Sequence, residues 1–148
     1  MENKQEMPEV TVNIQYIKDM SLEVPHAPQI FAKLTKQPQM NIDLNIDVQN
    51  LGSDQYEVTL NTRLNADIDN EKLFIFELSY GTACTLKMSE AQKEPILYIE
   101  IPKLIFPYVR QIISSNLANA GLPALMLSPV DFAGIYRQKK SQSETSKD

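Results

Sequence analysis

The sequence predicts an α+β fold: a four-stranded antiparallel sheet, one long helix packed on the sheet's apolar face, and a short C-terminal helix. Three observations carry this. Apolar and polar side chains alternate with a period of two through successive segments ending at Tyr80, the pattern of strands with one buried face. Turn signals at 50–54 and 69–70 join three of those segments as hairpins, and a proline-rich crossover returns the first segment to the same sheet. One later segment alone has helical spacing: Ile105, Val109, Ile112, Ile113, Leu117 and Ala120 fall three, four or seven apart.

Taken in order, residues 1–9 are polar and read as a loose tail, 10–137 as the folded domain, and 138–148 as a disordered tail without an apolar residue. Val10, Val12, Ile14 and Tyr16 form the apolar side of a first strand; Ile17 and Lys18 break the alternation, as a bulge does, before Met20, Leu22 and Val24 resume it. Carried through that break, the parity puts Asp19, Ser21 and Glu23 on the polar face. Two acids on one strand face fit a catalytic pair or plain solvated charges, and the second is the commoner case. Pro25, Pro28 and Pro38 keep the following segment extended, with Ile30, Phe31 and Leu34 as its apolar offerings.

Met40, Ile42, Leu44, Ile46 and Val48 alternate with Asn and Asp, and the next strand carries Tyr56, Val58, Leu60, Leu64, Ala66 and Ile68 at one parity. The fourth, Leu73–Tyr80, is apolar on both faces except at Glu77 and Ser79, and runs on past Gly81 if Cys84, Leu86 and Met88 keep its parity. Its even residues Phe74, Phe76, Leu78 and Tyr80 face either the helix or a second subunit. Ser89–Pro95 reads as a charged loop, and 96–101 leads into the helix with its pairing open. Pro102 and Pro107 suit the opening of that helix, Gly121 its left-handed cap and Pro123 its stop. The greasy, uncharged run around Leu125 and Leu127 fits core filler or the wall of an apolar groove. Ser128-Pro129-x-Asp131 then starts a short helix with Phe132, Ile135 and Tyr136 as its stripe.

A chain of 148 residues, 43% of them hydrophobic, makes one domain with one core. The formal charge of −5 lacks the basic face that nucleic acid calls for, and suits a soluble protein or one that meets basic partners. No apolar run reaches bilayer-spanning length, and Met1–Glu6 lacks the apolar core of a signal peptide, so a cytoplasmic protein that does not insert into membranes is expected. Cys84 and His26 are the single cysteine and histidine, which excludes an intrachain disulfide, a cysteine-rich zinc site and a Cys/His nucleophile pair. Four glycines, none in a phosphate-cradling loop, argue against nucleotide binding. The expectation is a binding module rather than an enzyme, with no catalytic residue, metal or cofactor. A carrier enclosing a small apolar ligand and a chaperone with an open apolar groove remain the alternatives.

Two blocks separate them. Leu104-Ile105-Phe106-Pro107-Tyr108-Val109-Arg110 followed by Gly121-Leu122-Pro123-Ala124-Leu125-Met126-Leu127-Ser128-Pro129-Val130-Asp131-Phe132, together with Tyr16-Ile17-Lys18-Asp19-Met20-Ser21-Leu22-Glu23-Val24-Pro25-His26-Ala27-Pro28, resembles the SecB family of bacterial protein-export chaperones. The resemblance spans everything except the tails. It departs in the crossover, where that family often has a tryptophan before the last proline and this chain has Leu34-Thr35-Lys36-Gln37-Pro38. It implies an ATP-independent holdase that keeps unfolded secretory precursors translocation-competent for a SecA-type export ATPase, assembled as a homotetramer, a dimer of dimers. A SecB-like chaperone dedicated to a toxin–antitoxin client is the variant. It also implies sites: Asp19, Glu23, Ile75 and Glu77 for the ATPase; Ile30, Phe31, Leu125, Leu127, Phe132 and Tyr136 for the client groove; Phe74, Phe76, Leu78 and Tyr80 near subunit interfaces.

Overall fold

The computed structural model describes residues 8–123, 125 and 127–145; the ends of both expected tails, 1–7 and 146–148, lie outside the described residues. Strands β1 (Glu9–Glu23), β2 (Gln39–Gly52), β3 (Gln55–Ile68) and β4 (Glu71–Lys87) form one antiparallel sheet in the order β1-β4-β3-β2. The two hairpins use two-residue turns whose central residues both have positive φ, Ser53 and Asp54 (54° and 62°) and Asp69 and Asn70 (49° and 63°). That geometry matches the natural twist of the flanking strands, which is why Asp, Asn and Ser suffice there. Between β1 and β2 the crossover contains a 3-10 turn at Gln29–Lys33 that buries Ile30.

β1 follows its alternation only in part, because it carries two irregularities. Its register on β4 slips by one residue between Val12 and Ile14 and again between Ile17 and Asp19. Val10 and Val12 lie opposite Leu86 and Cys84, on the helix side of the sheet. After the first slip Ile14 and Tyr16 lie opposite Ala83 and Gly81, on the other side. The second slip restores the original parity, so Met20 and Leu22 return to the helix side and Asp19, Ser21 and Glu23 share the outer face. The expected single break is therefore a pair. β4 does run past Gly81 to Lys87. Glycine is needed at 81 because the Tyr16 ring lies across it: a Cβ there would sit 2.5 Å from the ring.

The helical run starts earlier than the sequence suggests. The segment read as a charged loop is helix α1, Glu90–Pro95, opened by a capping box between Ser89 and Gln92. A π-helical turn at Ile96–Glu100 follows, so 96–101 does not pair as a strand, and α2 spans Ile101–Asn119. Pro95, Pro102 and Pro107 thus all stand inside one run. The π turn explains how: it sits between the first two prolines, and the Ile101 N–H reaches the Ile96 carbonyl, widening the helix where a proline ring would otherwise clash.

Ile101, Ile105, Val109, Ile113 and Leu117 form the buried stripe of α2, none more than 2% exposed. They share one core with Phe74, Phe76, Leu78 and Tyr80 of β4, which are 3%, 0%, 2% and 7% exposed. Those four residues are core beneath the helix, the first of the two faces that the sequence left open to them. Their apolar area is already removed from water, at about 1.5–3 kcal/mol for each large side chain.

The C-terminal helix α3 spans Phe132–Thr145, well beyond the predicted limit at residue 137. The stretch expected to be disordered up to Thr145 is helical, although it lacks apolar residues. Its lysines supply the anchorage instead. Lys139 Nζ donates to the Ile46 carbonyl at 3.2 Å and lies 5.6 Å from the Tyr98 ring centroid; Lys140 lies over the Tyr136 ring.

Candidate functional site

The six expected groove residues do not form one site. Phe31 and Leu125 lie at the C-terminal end of α2, where the Phe31 ring packs against Gly121 (φ 79°) and Leu125 lines an apolar cleft of about 390 Å³. The cleft's other walls are Pro38 and Met40 from the crossover and β2, Phe74 from β4, and Leu117 and Leu122 from the helix end. Phe132 and Tyr136 pack about 20 Å away along the helix, at 1.5 Å per residue. There Phe132 meets the Phe106 ring edge-on at 5.8 Å and Tyr136 stacks on Tyr98 at 5.6 Å. Burial, and then a hydrogen bond with Glu94, hold the Tyr136 phenol above its usual range. Leu127 is half-buried between these groups in sequence. Ile30 and Phe132, 1% and 3% exposed, are core and offer no surface to a client. Sequence reading names Leu122 in the apolar run after the helix but misses Met40 as a cleft residue. The apolar alternation of β2 announces Met40 as a strand residue, but not that α2 stops short of covering it.

On the sheet's outer face the other expected residues do come together. Register places Asp19 opposite Ser79, Ser21 opposite Glu77, and Glu23 opposite Ile75. Asp19, Glu23 and Glu77 are exposed and Ile75 is half-buried. Two shallow depressions open beside Asp19: one includes Asp43, Arg63 and Glu77, the other Lys18, Asp47 and Glu57. Glu77 Oε1 is 3.4 Å from Arg63 Nε. Glu57 accepts hydrogen bonds from Lys18 Nζ at 2.9 Å and from the Tyr16 hydroxyl. The Lys18 and Tyr16 hydrogen bonds hold the Glu57 carboxyl below its usual range, while burial and the Glu57 hydrogen bond push Tyr16 up to about 12.

A third surface went unread in the sequence. On the helix side of edge strand β1, Val10, Ile17 and Met20 are 44%, 46% and 41% exposed, and on α2 Leu104 and Tyr108 are 48% and 52% exposed. Asn116 Nδ2 donates to Met20 Sδ at 3.6 Å, which brings the strand and helix sides of this apolar surface together. Among the described residues no helix is long and apolar enough to cross a membrane.

Comparison with known proteins decides what frame these surfaces belong to. The family model for SecB, preprotein translocase subunit, matches residues 3–143. The chain belongs to the SecB family. A protein-export protein SecB of Paramagnetospirillum magneticum is 40% identical over 139 residues, covering 93% of this chain and 90% of that protein. The protein-export protein SecB of Rickettsia akari is 41% identical over 140 residues, covering 93% and 92%. Among solved structures, a SecB-like chaperone of Mycobacterium tuberculosis in complex with a ChAD peptide from an antitoxin superposes with a TM-score of 0.69, covering 82% of this chain and 90% of that one at 12% identity. That likeness concerns the fold: sheet, long helix and short C-terminal helix.

Proposed function

We propose that this SecB-family chain is a cytoplasmic holdase, not an enzyme, that binds unfolded secretory precursors without ATP and delivers them to a SecA-type export ATPase as a homotetramer. The observation that carries the client role is the open apolar cleft rimmed by Met40 and Leu125 and floored by the buried Leu117 and Leu122. An extended unfolded chain laid there loses apolar area to the protein at roughly 25 cal/mol per Å². Ordering that chain opposes the gain, so one cleft of this size holds a client weakly, and several copies joined in one assembly hold it well.

Assembly is supported by the exposed apolar residues Val10, Ile17, Met20, Leu104 and Tyr108, which lie along an edge strand and the uncovered side of α2. The partner face is the outer sheet surface with Asp19, Glu23, Ile75 and Glu77. Glu23 and Glu77 beside one half-buried isoleucine, with Asp19 one row further along the same face, suit the short, basic, zinc-containing segment that the family resemblance implies for the ATPase. Export is favoured over a toxin–antitoxin client because the export relatives share about 40% of their residues with this chain, against 12% for the antitoxin-bound chaperone. The test is to incubate the purified chain with a chemically unfolded secretory precursor, the same precursor folded, and a SecA-type ATPase. Binding the unfolded form and the ATPase, and refusing the folded form, is the expected result. Equal binding of both forms, or none, would overturn it.

A further inference from the structure

Arg63 occupies a position on the outer face that sequence reading did not single out. Pairing across the whole sheet lines up Ser21, Glu77, Arg63 and Asp43 in one row, one residue from each strand. The flanking rows are Asp19, Ser79, Asn61 and Asn45 on one side and Glu23, Ile75, Asn65 and Asn41 on the other. Arg63 is the one cationic residue in these three rows, and it stands between Glu77 and Asp43. It is already at work: its Nε lies 3.4 Å from Glu77 Oε1, with both side chains well exposed, at 60% and 49%. A single long contact between exposed groups is weak and exchangeable. A guanidinium presents five donors in a planar fork, so Arg63 has the same chemistry as a basic side chain arriving from outside.

We propose that Arg63 is a resident competitor on the docking face: its guanidinium occupies Glu77 until a partner's cationic segment displaces it, so that Arg63 sets how tightly and how salt-sensitively the partner docks. This rests on the reading of that face as the ATPase site. Removing the guanidinium frees a carboxylate for the partner and makes the face more acidic. Were Arg63 instead a brace that positions Glu77, removing it would weaken docking.

The experiment titrates the full-length chain and its variants with a purified SecA-type ATPase at low and moderate salt. Arg63→Gln is expected to bind about two- to fivefold more tightly at low salt, the range that an exposed ion pair represents. Arg63→Lys restores the charge and should bind nearly as the parent does. Lys72→Gln removes an equal charge about 13 Å further along the sheet, where Lys72 pairs with Asp67 at 3.0 Å, and should change binding less. Unchanged or weaker binding by Arg63→Gln, or an equal gain from Lys72→Gln, overturns the competitor role. The charge-reversed pair Asp19→Lys with Glu77→Lys tests the underlying reading separately. If it abolishes docking while Arg63→Gln has no effect, only the competitor role falls. Normal docking by that pair removes the docking face and the competitor role together.

Discussion

The Lys93 ammonium lies 3.0 Å from the Tyr56 hydroxyl and 5.1 Å from the centroid of the same ring, joining the first turns of the helical run to β3. Asp54 in the β2–β3 turn and Glu90 at the start of α1 also accept from it, at 3.2 and 3.1 Å. Lys93 is only 5% exposed, a rare place for a lysine, and these partners are why it is tolerated. Its hydrogen bonds, to Tyr56 first and Glu90 next, hold it charged to well above the ordinary lysine range.

Replacing Lys93 by Met keeps the stem and strands the Tyr56 hydroxyl. The expected outcome is a melting temperature lower by several degrees, with little dependence on salt, since a covered charge is poorly screened. Thermal unfolding at low and high salt measures both. A loss that vanishes in high salt would mark an ordinary surface pair.

Groove and core substitutions should part company. Leu125→Ser changes a half-buried cleft residue, and Phe31→Ser a half-buried ring packed on Gly121 at the same helix end. They should leave the fold intact, with stability lowered by about 1–2 kcal/mol, and weaken capture of an unfolded test protein severalfold. Phe76→Ser and Ile113→Ser change residues that are 0% exposed and should cost about 3–5 kcal/mol, enough to unfold much of the population. Urea titration followed by client binding separates the two classes.

Met20→Glu and Tyr108→Glu put charges onto the exposed apolar surface shared by β1 and α2. Each should leave the single-chain fold and the client cleft intact. Each should also shift the mass measured by light scattering from the proposed tetramer towards dimer or monomer at micromolar concentration. Unchanged assembly by both would move the subunit contacts off this surface.

Glu57 and Tyr16 each contribute a limb to the pH dependence of stability. Glu57 titrates below its unfolded value because Lys18 and Tyr16 hydrogen-bond its carboxylate. Its contribution to stability is therefore present above the unfolded carboxyl range and lost as pH falls through the lower folded value. Tyr16 runs the opposite way: raised to about 12, its contribution is intact below the ordinary tyrosine value near 10 and lost as pH rises through 12. Glu57→Gln should flatten the acid limb of the stability profile and lower the apparent ionisation of Tyr16, which absorbance at 295 nm follows.

Much of the fold was legible because periodicity reports which face of an element is buried. The alternation at Met40–Val48 and Tyr56–Ile68 and the α2 stripe at Ile105, Val109, Ile113 and Leu117 needed no more than that. What was not legible depends on contacts distant in sequence. Ser89–Pro95 looks like a loop because it is charged and ends in proline, yet Lys93 is held by Tyr56 and Asp54 some 40 residues away, at |i−j| of 37 and 39. Lys139 of α3 looks like part of a tail because its partners, Tyr98 and the Ile46 carbonyl, come from elsewhere in the sequence. Phe74, Phe76, Leu78 and Tyr80 were visible as one apolar face, but only packing shows that α2 occupies it. The acidic residues were placed on a shared face through β1's irregular pairing, where one break was expected and two opposed ones occur.

The two register slips in β1 behave like a frameshift and its suppressor. Straightening the first slip while keeping Asn13 would turn the segment from Ile14 to Ile17 over, sending Tyr16 towards the helix and Gln15 and Ile17 to the outer face, and then put every later residue out of phase unless the second slip vanished too. Straightening the second slip alone, with Lys18 kept, would leave Tyr16 in place and carry Asp19 and Glu23 to the helix side. Deleting Asn13 or Lys18 outright only removes the extra residue and leaves its neighbours on their faces. With both residues present, the acidic face survives only if the two slips are kept together or straightened together.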